Sequence, residues 1–244
     1  MEEKIDLSVI LPVFNEEKNV PLVAEKYKQI SKENNIELIF VEDGGSSDNT
    51  RKEMKKVAVK YKFIKNIFIS EKGYGVSISK GMKSAKGEFV CWTHADLQTN
   101  PKDTIRALKI AKSQEIPFKS YIKGKRYGRP LSDSFFTLGM SIFETLILGR
   151  FLYDINAQPN LFHRSFLKLI INPPSDFSFD LYIYYIARIN RYSIIRFPVL
   201  FPRRIYGESK WNTSFKSKYK FIKRTIDFSF KLKNNLKTKY DNNT

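Results

Sequence analysis

A chain of 244 residues with 42% hydrophobic content is long and apolar enough for one α/β domain with some appended structure, and it excludes wholesale disorder. Its 43 Lys and Arg against 25 Asp and Glu give a formal net charge of +18, which points to a polyanionic partner: nucleic acid, an anionic membrane surface or a phosphorylated substrate. The one cysteine, Cys91, excludes an internal disulfide and reads as a small core residue.

The N-terminus Met1-Glu2-Glu3-Lys4 is polar and leads straight into a strand, so no secretory leader is expected. Leu7 to Val13 is an apolar strand run. A helix from about Glu16 to Ser31 follows, with Val20, Val23, Tyr27 and Ile30 on one side. Ile36 to Val41 is the next strand; its helix starts near Asp48 or Asn49, after a Gly-Ser turn. Ile64 to Ile69 predicts a third strand, Gly75 to Ala85 a third helix, and Glu88 to Thr93 a fourth strand. Pro101 then opens a new amphipathic segment. This alternation implies a mostly parallel, doubly wound sheet with helices on both faces.

The second half is less regular. A strand near Ser120 to Gly124 leads into Lys125-Arg126, then a helical stretch from about Ser132 to Tyr153. Asn160 to His163 is a candidate short strand, Phe179 to Asn190 a helix, and Ile194 to Phe201 a strand. No stretch offers the ~20 uninterrupted apolar residues of a membrane-spanning helix. The nearest, Phe135 to Tyr153, contains Glu144 and Arg150 and reads as amphipathic. A cytosolic protein is expected, open to attachment at a membrane face.

Ligands of such sheets bind outside the carboxyl ends of the strands. Polar clusters fall there: Asn15-Glu16, then Glu42 to Asp48, then His94-Ala95-Asp96-Leu97-Gln98. A carboxylate and an amide at a strand end supply hard oxygen ligands that suit Mg²⁺ or Mn²⁺ bridging a pyrophosphate.

These pieces, in this order, resemble glycosyltransferase family 2, nucleotide-sugar transferases of GT-A fold, and within it the polyprenyl-phosphate sugar synthases. The matching residues are Ser8 to Glu16, Asp43 to Thr50, Gly73 to Gly87, Ala95-Asp96-Leu97-Gln98, Lys125-Arg126 and Tyr206 to Lys210, a likeness over roughly residues 5 to 212. The resemblance implies inverting transfer from a nucleoside-diphosphate sugar. Pro12, Val13, Asn15 and Glu16 would line the base and ribose pocket, and Asp43 would contact the nucleoside. Asp96 would be the principal metal ligand and Gln98 an auxiliary one, with Ala95 beside them. Arg126, Arg203, Arg204 and Lys210 would hold phosphates, for which the planar guanidinium fork is suited. Asn156 and Gln158 would face sugar or acceptor. The chain departs from the family where His94 replaces the first Asp of Asp-Ala-Asp-Leu-Gln; as a substrate-binding residue its neutral imidazole would hydrogen-bond ribose or take a softer metal. It departs again where Gly44 replaces a second acid or Asn, with Glu42 one position early.

Local alternatives stand beside these roles. Asp48 is a candidate helix cap and Asp43 a candidate Asx-turn. Asp180 is either a general base for a hydroxyl acceptor or a complement to the dipole of the helix it opens, and Asp176 is a weaker candidate base. An ionised phosphate acceptor needs no base. His163 reads as structural.

From Ser209 to Tyr240, ten Lys and Arg face one acid, Asp227, with Trp211, Phe215, Tyr219, Phe221, Phe228 and Phe230 interleaved. Such a segment suits anionic headgroups, at ~1 kcal/mol per basic residue. It also suits nucleic acid. With the polar sheet edge in place, no nucleic-acid partner is expected. The helix around Phe135 to Ile147 either dips an apolar face beside that segment or is a core helix. The expectation is a GT-A domain over residues 1–208 and a membrane-surface segment over 209–244. The enzyme would sit peripherally on the cytoplasmic face and transfer sugar to a polyprenyl phosphate or glycolipid acceptor, or else to a hydroxyl of a lipopolysaccharide or surface polysaccharide precursor. A non-catalytic nucleotide-sugar or polyanion binder is the alternative of another class. Membrane helices would come from a partner subunit.

Overall fold

The computed structural model describes residues 4–202 and 222–234. Arg203, Arg204 and Lys210 lie outside the described residues. The elements run β1 (Leu7–Val13), α1 (Asn19–Ser31), β2 (Ile36–Glu42), α2 (Thr50–Lys60), β3 (Ile64–Phe68), α3 (Tyr74–Ser84), β4 (Phe89–Trp92) and α4 (Lys102–Lys112). There follow β5 (Ser120–Tyr127), α5 (Leu131–Leu148), β6 (Asn160–His163), α6 (Phe179–Ile189), β7 (Ser193–Leu200) and a helix over 222–234, α7. The described residues divide into two units, 4–129 with 156–202 and 130–155 with 222–234. Residues 130–155 thus group with the C-terminal stretch.

The first unit is a seven-stranded sheet ordered β3-β2-β1-β4-β6-β5-β7. Every residue of β2 is buried, because helices cover both faces of a parallel sheet and its strands must be apolar throughout. One face carries Val9, Leu11, Leu38 and Phe40 against α1, α2 and α4, whose Val23, Tyr27, Met54, Ala107 and Leu108 close a single core. On the other face α3 approaches so closely that a Cβ at Gly81 would stand 2.4 Å from Ile10 Cγ2. Close approach of helix to strand is why glycine occupies that turn.

The chain steps outward from β1 through β2 to β3, then returns to place β4 on the other side of β1. The strand order therefore reverses between β1 and β4, and their carboxyl ends flank the crevice where such sheets bind ligands. β6 is antiparallel to both β4 and β5, so β5 again points the same way as β4. The ends of β1, β2, β4 and β5 consequently open on one edge.

Three boundaries differ from sequence expectation by three residues or more. α1 begins at Asn19 rather than Glu16, because Asn15 takes a left-handed conformation, φ 53°, and turns its neighbours toward the β2 loop. β5 continues to Tyr127 because β7 pairs with it along its whole length, from Ser120 with Ser193 to Tyr127 with Leu200. α5 stops at Leu148, where Gly149 adopts φ 61°, the left-handed cap that ends many helices.

In the second unit α5 has its amphipathicity inverted. Leu131, Phe135 and Leu146 are 88%, 80% and 76% exposed, while Ser141 and Glu144 are buried. Glu144 accepts a hydrogen bond from Ser229 on α7, whose Thr225, Ser229 and Leu232 form the buried face. Within its own unit, α5 does not read as a core helix.

Candidate functional site

The ends of β1 and β2 are stitched together by their loops. Asn15 N donates to Ser46 Oγ (3.1 Å) and Ser47 N to Asn15 Oδ1 (2.8 Å). Glu16 N donates to Thr50 Oγ1 (2.8 Å), and Glu17 N to Asp48 Oδ2 (3.2 Å). Asp48 Oδ1 also accepts from Thr50 N at 3.0 Å, so it opens α2 and clamps the first loop at once. Burial pushes its carboxyl up, but the hydrogen bonds from Thr50 and Glu17 outweigh this and hold it below the ordinary value. Asn15 and Glu16 spend backbone groups on this stitching, while Pro12 and Val13 sit at the end of β1 beside it.

Asp43 accepts from Gly45 N at 3.2 Å, the expected Asx-turn, and remains partly exposed at the edge. Glu42, the last residue of β2, is turned inward: its carboxylate has no exposed surface, pairs with Arg51 at 2.6 Å and accepts from Ser46 N at 3.1 Å. Burial raises its carboxyl, yet Arg51 and Ser46 hold it below the ordinary value. The early acid is thus a buried anchor for α2. Gly44 has φ 70°, and a Cβ there would stand 2.4 Å from Ile69 O. The next strand's backbone occupies the space that a larger residue would need.

Beyond β4, Asp96 is buried and accepts from Gln98 N at 3.0 Å, with Leu97 at φ 60° making the turn. Gln98 donates its amide nitrogen to Pro202 O at 2.9 Å. Phe201 joins this loop to the end of β5: the His94 ring meets it edge-on at 5.9 Å and the Arg126 guanidinium lies over it at 5.2 Å. His94 is thereby packed by an aromatic partner, and Ala95 is buried in the core beneath. Among the described residues no group of three His, Cys, Asp or Glu side chains can hold a metal. Asp96 and Gln98 offer hard oxygen donors in this loop, a set that fits Mg²⁺ or Mn²⁺ because these ions commonly take one or two carboxylates plus substrate phosphates and water.

Below this edge runs a buried polar row. Trp92, Asn160 and Lys123 are register partners across β4, β6 and β5. Lys123 has no exposed surface; its ammonium donates to Ala157 O and Asn160 Oδ1, both at 2.7 Å, and stands 5.5 Å from the Tyr184 ring centroid. Asp180, in the first turn of α6, accepts from Trp92 Nε1 at 3.0 Å and from the Tyr74 hydroxyl at 3.1 Å. Gln158 Nε2 donates to that hydroxyl, and Tyr74 stacks on Phe177 with centroids 4.6 Å apart. Burial pushes the Asp180 carboxyl up, against the pull of Lys123, the Trp92 and Tyr74 donors and Arg126. Burial and the charge of Asp180 push the Tyr74 hydroxyl well up, so it stays a proton donor.

Asp176 only turns the chain into α6, accepting from Ser178 N at 2.8 Å. His163 is satisfied by Ser165 at 2.9 Å and by the Phe89 ring. Tyr74, Trp92, Lys123 and Arg51 were invisible as functional residues in the sequence. A lysine at the centre of an apolar strand run was the one available signal, since buried lysines almost always have partners.

Comparison with known proteins gives a consistent family. A sequence model described as Glycosyl transferase family 2 matches residues 8–168. The undecaprenyl-phosphate 4-deoxy-4-formamido-L-arabinose transferase of Proteus mirabilis is 29% identical over 222 residues, 86% of this chain and 64% of that protein. Its counterpart in Photorhabdus laumondii is 25% identical over 84% of this chain and 63% of that protein. The chain therefore spans just under two thirds of these relatives. A crystal structure of glucosyl-3-phosphoglycerate synthase from Mycobacterium tuberculosis with UDP superposes with a TM-score of 0.71 at 14% identity, covering 94% of this chain and 80% of that one. A mannosyltransferase from Pyrobaculum calidifontis with GDP-Man and Mn²⁺ gives 0.59 at 18% identity, covering 85% and 59%. These structures share its fold.

Proposed function

The chain belongs to glycosyl transferase family 2, and on that premise we propose that it moves a sugar, with inversion, from a nucleoside diphosphate to a polyprenyl phosphate. The observation that carries the reading is the convergence of Asp43, Asp96 and Arg126 on the sheet edge where the strand order reverses. Pro12, Val13, Asn15, Glu16 and Asp43 border the nucleoside side. Arg126, with Arg203, Arg204 and Lys210 from outside the described residues, serves the phosphates. Asp96 and Gln98 would hold Mg²⁺ or Mn²⁺, whose Lewis acidity neutralises a diphosphate leaving group. The relatives named for undecaprenyl-phosphate transfer favour that acceptor.

The chemistry of Asp180 favours it too. A hydroxyl nucleophile needs a base within reach, but both Asp180 oxygens face internal donors and the residue is only 2% exposed. A phosphate that arrives ionised makes no such demand. Membrane attachment is supported by α5, on which Leu131, Phe135 and Leu146 are exposed, in a chain of charge +18. By length and composition α5 qualifies as a membrane span. Its 18 residues, at ~1.5 Å each, reach about 27 Å, short of the ~30 Å hydrocarbon core, so we place it along the interface.

The test is sugar turnover with Mn²⁺ or Mg²⁺, each common nucleoside-diphosphate donor, and undecaprenyl phosphate in anionic vesicles. Transfer to the lipid supports the reading. Transfer only to hydroxyl acceptors overturns the acceptor, and no turnover with any donor overturns the enzyme.

A further inference from the structure

Side chains along a strand point alternately to its two faces, and β5 shows both. Ile122 joins the core that α4 closes, whereas Tyr121 and Lys123 meet Tyr184 of α6 from the other face. The same alternation carries Lys125 and Tyr127 onto the α6 face and Arg126 onto the opposite one, where it lies over Phe201. β7 continues the pattern beside it: Lys125 pairs with Pro198 and Tyr127 with Leu200, and residues in register share a face. Toward the carboxyl ends this face comes out from under cover. Tyr121 and Lys123 are buried, Lys125 and Pro198 are exposed, and Tyr127 and Leu200 are 55% and 51% exposed. The apolar pair is fixed by its surroundings. Phe201 N donates to Tyr127 O at 3.0 Å, and Gly128 turns at φ 75° so close to Leu200 that a Cβ would stand 2.7 Å from its Cδ1.

A cation two residues from an apolar pair on one exposed face, about 6.6 Å along the strand, matches an amphiphile with an anionic head and an apolar tail. We propose that Lys125 takes the phosphate of the lipid acceptor and that Tyr127 and Leu200 form a shelf for the first isoprene units of its chain, while Arg126 on the opposite face serves the donor diphosphate. Inversion calls for such a division. The acceptor oxygen bonds to the anomeric carbon from the side away from the departing diphosphate, which leaves with the electron pair of the broken bond, so the two anions are held apart. A membrane surface would also cover apolar residues, but the place of these two at the sheet edge that carries Asp96 and Arg126 assigns them to the acceptor. The inference rests on the polyprenyl-phosphate reading given above and adds which residues recognise the lipid.

The probe is farnesyl phosphate, used as a competitor of undecaprenyl phosphate in the transfer assay. Tyr127→Ser combined with Leu200→Ser removes the apolar shelf, and because both residues are half exposed the fold should lose little. The Ki of farnesyl phosphate should rise about tenfold, the effect of no longer covering the exposed halves of two such side chains. The Kd of the nucleotide sugar by calorimetry and the binding to anionic vesicles should stay at wild-type values. Lys125→Met, which keeps an apolar stem and loses the charge, should raise the same Ki and spare the donor Kd, whereas Arg126→Met should raise the donor Kd. Farnesyl phosphate that does not compete, or a Ki unchanged in the double variant, overturns the proposal; loss of vesicle binding instead would make the pair a membrane contact. A donor Kd that rises in Lys125→Met overturns the division between the two cations. A wild-type chain that transfers sugar to no polyprenyl phosphate removes the premise, and this inference with it.

Discussion

Glu144 should be neutral in the folded protein at pH 6, because its carboxyl is buried. Ser229 Oγ has one proton and two acceptors in reach, Thr225 O at 2.8 Å and Glu144 Oε2. Glu144 Oε1 has no hydrogen-bond partner among the described residues, so an ionised form would bury its charge with the Ser229 hydroxyl as its one hydrogen bond there. Burial accordingly pushes the carboxyl from 4.5 up to about 7, against the Ser229 hydrogen bond. The sign follows by linkage. Below pH 4.5 both folded and unfolded chains carry the proton; between 4.5 and about 7 only the folded one does; above that neither does. Stability is thus fully present at low pH and lost as pH rises through 7, by about 3 kcal/mol at ~1.4 kcal/mol per pH unit. Glu144→Gln, which is never charged, should remove that loss. Urea unfolding of both proteins from pH 5 to 8.5, followed by helix circular dichroism, measures it. The wild type should fall relative to the variant by 1–3 kcal/mol, the lower figure allowing for local relaxation. Parallel curves would mean that Glu144 is ionised or solvated, and the account of α5 packing on α7 would fail.

Asp96→Ala should abolish the thermal stabilisation that Mn²⁺ adds to nucleoside-diphosphate binding, read as a Tm difference with and without metal; retained metal dependence would move the ion elsewhere. Gly44→Ala should lose at least ~2 kcal/mol in denaturant titration, from a left-handed alanine and a Cβ 2.4 Å from Ile69 O, and a loss below 0.5 kcal/mol would contradict the packed turn. Arg51→Met leaves the buried Glu42 carboxylate with the Ser46 amide alone. Because Arg51 is half exposed, the expected cost is about 1–3 kcal/mol rather than that of a fully buried pair, and an unchanged urea midpoint would refute the pairing.

The first half of the fold was legible because its signals are local. Apolar runs of strand length, helix-period faces such as Val20, Val23, Tyr27 and Ile30, and glycine turns each report on a window of a few residues. Their alternation places Asn15, Asp43 and Asp96 at one sheet edge, and the motifs there carry the resemblance by which the family could be read without coordinates. What joins those residues is not local. Tyr74 and Asp180 are 106 residues apart and Trp92 and Asp180 are 88 apart, so no spacing rule links them. The four-residue antiparallel strand β6 brings Asn160 between Trp92 and Lys123 only because both neighbours are already in place. The sequence marks α5 as amphipathic, but which face is buried depended on Ser229 meeting Glu144 from 85 residues away. Periodicity is written residue by residue along the chain, whereas the partner of a buried charge is chosen by packing, and here packing decided which carboxylates stand at the edge and which lie beneath it.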